Sequence, residues 1–178
     1  MNQGVNLVIG TTGLSPEDVA EIERLCGQGN VGAVVAPNFS LGAVLMIHMA
    51  KLAARYFEYA EVIEMHHAGK ADAPSGTALA TARAMVEARG QPFNYPAVEK
   101  EGLAHARGGQ FEGVGIHSVR LPGLLAHQEV ILGAPGQTLT IRHDSISRES
   151  FMPGVIVAIK RVVGVKGLVY GLETLLGL

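Results

Sequence analysis

The chain has 178 residues, 48% of them hydrophobic and 17% charged, with a mean hydropathy of +0.26. Disordered and collagen-like chains are excluded, because they lack the apolar surface to offset chain entropy. Fourteen Lys and Arg against sixteen Asp and Glu give a net charge of −2, and Trp is absent; both features argue against a nucleic-acid surface.

The 23 glycines show no fixed period and read as tight turns and close backbone approaches. The lone Cys26 excludes an intramolecular disulfide and fits a reducing compartment. Residues 1–4 carry no positive region ahead of an apolar one, and the longest apolar stretch, 41–54, is interrupted by His48 and Lys51. It is too short to span a bilayer. A soluble, cytoplasmic protein is expected.

Residues 5–9 predict a strand, followed by Gly10-Thr11-Thr12-Gly13. Ser15-Pro16-Glu17-Asp18 then has the composition of a helix start, with a capping Ser, Pro in the first turn and acids beside it. Val19, Ile22, Leu25 and Cys26 share one helix face, and the apolar run 31–36 reads as a buried parallel strand. A single strand–helix–strand unit cannot form a stable sheet, so the rest of that sheet is expected to lie outside this chain. Ser40 opens a helix over 41–57 that is apolar nearly all round and therefore expected to be buried.

Residues 60–65 alternate as a strand, with Val62 and Glu64 on one face and Ile63 and Met65 on the other. Ser75 caps an Ala-rich helix to Arg89, and 90–113 reads as a long loop. Strands are expected at 114–120, 126–132 and 138–143, as an antiparallel set with Leu121-Pro122-Gly123 and Gly133-Ala134-Pro135-Gly136 as the turns. Ser150 opens a last helix over 151–163, and 164–178 is an apolar tail. The fold class is α+β: a mixed, largely antiparallel open sheet with helices, plus part of a parallel α/β layer.

The chemistry concentrates in residues 64–78, Glu-Met-His-His-Ala-Gly-Lys-Ala-Asp-Ala-Pro-Ser-Gly-Thr-Ala. Here a strand end meets a helix N-terminus. Such an end favours anions, through the free N–H groups assigned to Ser75, Gly76 and Thr77 and through the helix dipole. Lys70 can pair with a carboxylate or donate a proton, and His66 or His67 can act as a general acid near neutral pH. Pro-Ser-Gly-Thr by itself is an ordinary helix start. A metal bound by His66, His67 and Asp72 is not expected, since strand neighbours face opposite ways. A Ser75 nucleophile lacks the Gly-x-Ser-x-Gly elbow. His105 and Arg107 read as solvated loop residues, and His117 and His143 as sheet-face residues.

As a whole this string resembles the signature of the 4-hydroxy-tetrahydrodipicolinate reductase (dihydrodipicolinate reductase) family. Gly10-Thr11-Thr12-Gly13 looks like that family's loop beside the nicotinamide, and Ala36-Pro37-Asn38-Phe39-Ser40 looks like its hinge. Ser118-Val119-Arg120 with Gly123 and His127 resembles its next strand pair, and Ser147-Arg148 with Phe151 and Gly154 the start of its last helix.

The resemblance implies reduction of 4-hydroxy-tetrahydrodipicolinate in diaminopimelate and lysine biosynthesis, with NADPH or NADH as cofactor. It implies His66 and Lys70 as the acid–base pair. Substrate carboxylates would be held by His67, Lys70, Ser75, Gly76 and Thr77, with Thr12 helping. The cofactor would touch Gly10, Thr11, Thr12, Ala36, Asn38 and Phe39. Residues 1–37 would belong to a dinucleotide-binding domain, 38–150 to a substrate-binding and oligomerisation domain, and 151–178 to a tail returning to the first. A homotetramer follows, with the sheet residues Val114, Ile116, Val130, Leu132, Leu139 and Ile141 expected to need cover from other subunits. No metal, nucleic acid or membrane partner is implied.

The family's opening Gly-x-x-Gly-x-x-Gly turn, which binds the pyrophosphate, has no counterpart here. Three readings follow: a truncated reductase, a redox-inactive oligomeric module that binds dicarboxylates or serves as a scaffold, or a chain completed by a separate nucleotide-binding one.

Overall fold

The computed structural model describes residues 4–178 and divides into two compact units. One comprises the residues up to Leu45 together with Arg148–Leu178; the other comprises Met46–Ser147.

In the first unit β1 (Leu7–Ile9), α1 (Pro16–Gly29) and β2 (Gly32–Val35) form the expected crossover. Helix α1 starts on a reciprocal cap. The Ser15 hydroxyl accepts from the Asp18 N–H at 3.1 Å, and the Asp18 carboxylate accepts from the Ser15 N–H at 2.9 Å. Such a cap contributes about 0.5–2 kcal/mol. Strand β2 is buried throughout, which explains its unbroken run of apolar residues.

As the resemblance implied, the tail returns to this unit: it supplies β8 (Gly167–Tyr170), which pairs in parallel with β2 and gives the order β1-β2-β8 among the described residues. Helices α4 (Met152–Val162) and α5 (Leu172–Leu176) belong to the same unit. Val34, Ala36, Phe39, Ala158, Val162 and Leu172 form a core there. A 3-10 turn at Arg148–Phe151 contains Ser150, so α4 begins at Met152 rather than on a Ser150 cap.

The second unit is built on a five-stranded sheet of order β4-β5-β3-β6-β7. Its strands are β3 (Tyr59–His66), β4 (Gly109–Phe111), β5 (Val114–Arg120), β6 (Ala126–Ala134) and β7 (Gln137–Ser145). The mixed, mainly antiparallel character is as read from sequence, but the neighbours differ. Strands β5 and β6 do not form a hairpin; β3 lies between them, parallel to β5 and antiparallel to β6. The short β4 also emerges from the segment expected to be loop and pairs with β5.

One face of this sheet presents Val62, Val114, Ile116, Val130 and Leu132 to Met46, Ala50 and Ala54, and to Ala78, Ala82 and Met85 of α3 (Gly76–Arg89). Small residues on the helices let them sit close to the sheet, and each fully buried aliphatic side chain contributes about 1.5–3 kcal/mol. The sheet residues expected to need cover from other subunits are therefore largely covered by this chain's own helices, with Ile141 packed at the margin and Leu139 left 38% exposed.

Helix α2 (Leu41–Ala53) also departs from expectation. It ends before a 3-10 turn, Ala54–Tyr56, and is not buried all round. Leu45, Met49 and Leu52 are 43%, 47% and 48% exposed.

Candidate active site

Strand β3 carries the chemistry to the edge of the second unit. Strand alternation places Glu64 and His66, two residues apart, on the same face as Val62. Glu64 is therefore a carboxylate buried on an otherwise apolar face, fully shielded from solvent. A buried charge persists only when paired and hydrogen-bonded.

Arg120, opposite His66 in the β3–β5 register, provides the pairing. Its two terminal nitrogens reach the Glu64 oxygens at 2.9 and 2.8 Å in a bidentate fork. The Glu64 carboxylate further accepts from the Ser75 N–H at 3.2 Å and lies 2.5 Å from His66 Nδ1. Burial pushes the Glu64 carboxyl up, but hydrogen bonds from Arg120, Ser118 and His66 outweigh it and hold the group below the ordinary carboxylate range. The lowered carboxyl favours the ionised form of Glu64, which only accepts hydrogen bonds.

Burial draws the His66 imidazole below the usual histidine range. Glu64 opposes that shift, while the positive charges of Lys70 and Arg120 reinforce it. Lys70 lies just beyond the strand end, its N–H donating to the His67 carbonyl at 3.1 Å and its ammonium 2.7 Å from Asp72 Oδ1. That ammonium, with its hydrogen bond to the carboxylate, holds the Asp72 carboxyl below its ordinary range. Arg120 also donates to the Asp72 carbonyl at 2.5 Å, so one guanidinium ties the 67–75 segment to the strand end.

Helix α3 then starts at this spot. The Ser75 hydroxyl caps it by accepting from the Ala78 N–H at 3.2 Å. The expected role of the Ser75 N–H as a free donor is corrected: it is committed to Glu64, and Ser75 is 2% exposed. Gly76 is exposed and Thr77 half-buried, leaving their first-turn N–H groups outside the intrahelical ladder.

The helix is anchored from beneath. Gln128 Nε2 donates to Thr81 Oγ1 at 2.7 Å, and that hydroxyl donates to the Thr77 carbonyl at 2.8 Å. The second unit therefore sets His66 and the start of α3 on the Glu64 carboxylate, with the Lys70 charge acting on His66 and His67 exposed. Such a set can hold carboxylates and move a proton.

The cofactor-assigned residues group separately, within the first unit. Gly10, Thr11 and Thr12 leave the carboxyl end of β1, and Ala36 to Phe39 leave that of β2, with the Ala36 N–H donating to the Ile9 carbonyl at 3.0 Å. Ligands of open parallel sheets sit outside such strand ends. Gly10, Thr11 and Thr12 are exposed. Phe39 is 8% exposed, and its ring lies 3.1 Å from where a side chain on Gly10 would begin. The Asn38 side chain accepts from the Ser40 N–H at 2.9 Å.

Sequence reasoning assigned no role to Glu64 and left that of Arg120 open. The signal was present, because alternation put a carboxylate on the Val62 face. Arg107, expected to be solvated, is instead ion-paired with Glu61 and stacked 4.9 Å from the Tyr95 ring centre. His105 is exposed, as expected. His127 lies 2.6 Å from Asp144 Oδ1 on the sheet. Among the described residues no group of three or more His, Cys, Asp and Glu side chains is arranged to hold a metal ion, and no helix is long and apolar enough to cross a membrane.

The family model described as "Dihydrodipicolinate reductase, C-terminus" matches residues 42–176, and its N-terminal companion matches 1–39. The 4-hydroxy-tetrahydrodipicolinate reductase of Dehalococcoides mccartyi is 61% identical over 174 residues, covering 98% of this chain and 65% of that protein. The Moorella thermoacetica reductase is 58% identical over 176 residues, covering 99% and 66%. The chain thus spans about 65% of the length of these relatives. A solved dihydrodipicolinate reductase from Paenisporosarcina sp. TG-14, bound to dipicolinate, superposes with a TM-score of 0.87 at 51% identity, covering 96% of this chain and 64% of that one. The two family models, the relatives at 58–61% identity and the fold shared with that structure place this chain in the dihydrodipicolinate reductase family.

Proposed function

We propose that the protein acts in the NAD(P)H-dependent reduction of 4-hydroxy-tetrahydrodipicolinate to tetrahydrodipicolinate, a step of diaminopimelate and lysine biosynthesis. The observation that carries this reading is the meeting of His66 and the α3 start on the Glu64 carboxylate, with the Lys70 charge acting on His66. It is supported by a 51% identical relative whose solved structure holds dipicolinate.

The substrate loses its 4-hydroxyl as water and gains a hydride and a proton. A bound NADH or NADPH supplies the hydride. The chain's residues do the rest. The Thr77 N–H, the Ser75 and Thr77 hydroxyls, Gly76, His67 and Lys70 hold the two carboxylates. Lys70 and His66 form the acid–base pair that supplies the proton, His66 Nε2 taking one up and passing it on. The exposed Gly10–Thr12 segment and the Ala36–Phe39 segment fit the nicotinamide end of such a cofactor.

In this reading residues 1–37 and 151–178 serve dinucleotide binding, and 38–150 serve substrate binding and assembly. A cytoplasmic homotetramer is part of the proposal. The outward face of the β3–β5–β6 sheet supports it, because Ile63, Met65, Val119 and Ile131 lie there rather than in the core.

The dicarboxylate-binding module without redox activity has one observation in its favour: apart from Thr12, its residues all lie in the second unit. Calorimetric titration with pyridine-2,6-dicarboxylate and with NADPH and NADH separates the readings. Saturable binding of the dicarboxylate and of a nicotinamide cofactor supports the reductase. Binding of the dicarboxylate alone supports the module, and binding of neither overturns both.

A further inference from the structure

We propose that Glu64 is a positioning residue that fixes the His66 imidazole in its Nδ1–H form and ties it to the start of α3, with Arg120 holding the carboxylate in place. The inference rests on the proposed function for the use made of His66, but its geometry stands by itself. Four groups converge on one carboxylate: His66 Nδ1 at 2.5 Å, the two Arg120 nitrogens at 2.9 and 2.8 Å, and the Ser75 N–H at 3.2 Å. Glu64 is fully buried, so water cannot substitute for any of them.

Two consequences follow from elementary chemistry. An ionised carboxylate only accepts hydrogen bonds, so the ring nitrogen facing it must carry the proton. The other nitrogen, Nε2, is then left with its lone pair, the form in which it can take up a proton and return it. The carboxylate also lowers the cost of a transient imidazolium, which burial and the neighbouring Lys70 and Arg120 charges otherwise raise. The same carboxylate binds the N-cap backbone of α3. Proton carrier and anion-binding helix start are thus set in register by one side chain.

The charged groups facing His66 are Glu64 on β3, Arg120 on β5 and Lys70 on the following segment. Replacing Glu64 therefore leaves the imidazole with only positive neighbours.

The test is long-range 1H–15N correlation of the imidazole nitrogens in the intact protein, with the His66 signals identified by their loss in His66→Asn. The expected result is a single Nδ1–H tautomer in the unmodified protein. In Glu64→Gln the Nε2–H form should become populated and the ring titration should move toward acid. A mixed or Nε2–H tautomer in the unmodified protein overturns the proposal, as does an unchanged tautomer and titration in folded Glu64→Gln.

Should Glu64→Gln fail to fold, the double variant Glu64→Gln/Arg120→Gln removes both charges of the pair and is read in the same way. With substrate and cofactor, Glu64→Gln should lower kcat on the order of 100-fold, the scale of general acid–base catalysis, with a smaller change in KM. The NMR readout needs no turnover. A chain that shows the Nδ1–H tautomer but reduces nothing refutes the reductase reading and leaves the clamp standing; an active chain without that tautomer does the reverse.

Discussion

Arg120 grips the Glu64 carboxylate with both terminal guanidinium nitrogens, at 2.9 and 2.8 Å, where the carboxylate has no access to solvent. The pair joins residues 56 apart in sequence, on β3 and β5, and the same carboxylate meets His66 and the Ser75 N–H. Removing one member leaves an uncompensated buried charge, which costs about 3–5 kcal/mol. Arg120→Met should therefore lower stability by about that amount, read as a shift in denaturant midpoint at constant slope. A shift below about 1 kcal/mol contradicts the burial of the pair.

The pH dependence of stability has a definite sign. The folded-state pKa of Glu64 lies below its ordinary value because the Arg120, Ser118 and His66 hydrogen bonds outweigh burial. Its stabilising contribution is complete above the unfolded carboxyl range, about 4.3, and is lost as pH falls through the lowered folded value. Stability measured across the acid range should fall more steeply in the unmodified protein than in Glu64→Gln/Arg120→Gln. Parallel curves contradict this.

Dicarboxylate binding should take up protons. His66 is largely neutral at rest, with burial the leading cause of its lowered pKa, and a dianion placed beside it favours the imidazolium. Calorimetry of pyridine-2,6-dicarboxylate in buffers of different ionisation heats should show net uptake, at most one proton, near neutral pH, and none in His66→Asn. Uptake that survives His66→Asn contradicts the assignment.

Lys70 tests catalysis apart from stability. Its ion-pair partner Asp72 is 56% exposed, so the pair is worth at most about 1 kcal/mol. Lys70→Ala should melt within a few degrees of the unmodified protein and lose turnover by about 100-fold or more. Near-normal turnover removes Lys70 from its role.

Gly154 controls the proposed cofactor segment through packing. A Cβ there would sit 2.0 Å from the Phe39 carbonyl oxygen and 3.1 Å from Leu172. Backbone cannot yield as a flexible side chain can, so Gly154→Ala should cost about 1–3 kcal/mol and weaken nicotinamide binding by displacing Phe39. Unchanged melting and cofactor affinity contradict this.

Much of the fold was legible because its signals are local. The Ser15-Pro16 start of α1, the Ser75 cap of α3 and the alternation of β3 each depend on a few adjacent residues. What escaped depends on distant partners. Leu121-Pro122-Gly123 has hairpin-turn composition, yet the strands it joins lie on either side of β3, and no local pattern reports an inserted strand. Strand β8 is four residues in an apolar tail, too short to show a period. The site was legible as a string of residue types, but the commitment of the Ser75 N–H to Glu64 was not. It depends on a contact between residues 11 apart in sequence across a strand end and a helix start.

The most direct test of the central claim is turnover: oxidation of NADPH or NADH by the purified protein, given freshly generated 4-hydroxy-tetrahydrodipicolinate. Substrate-dependent oxidation, inhibited by pyridine-2,6-dicarboxylate and abolished in Lys70→Ala, is the predicted result. No substrate-dependent oxidation with either cofactor, from a protein that binds both ligands, would contradict it.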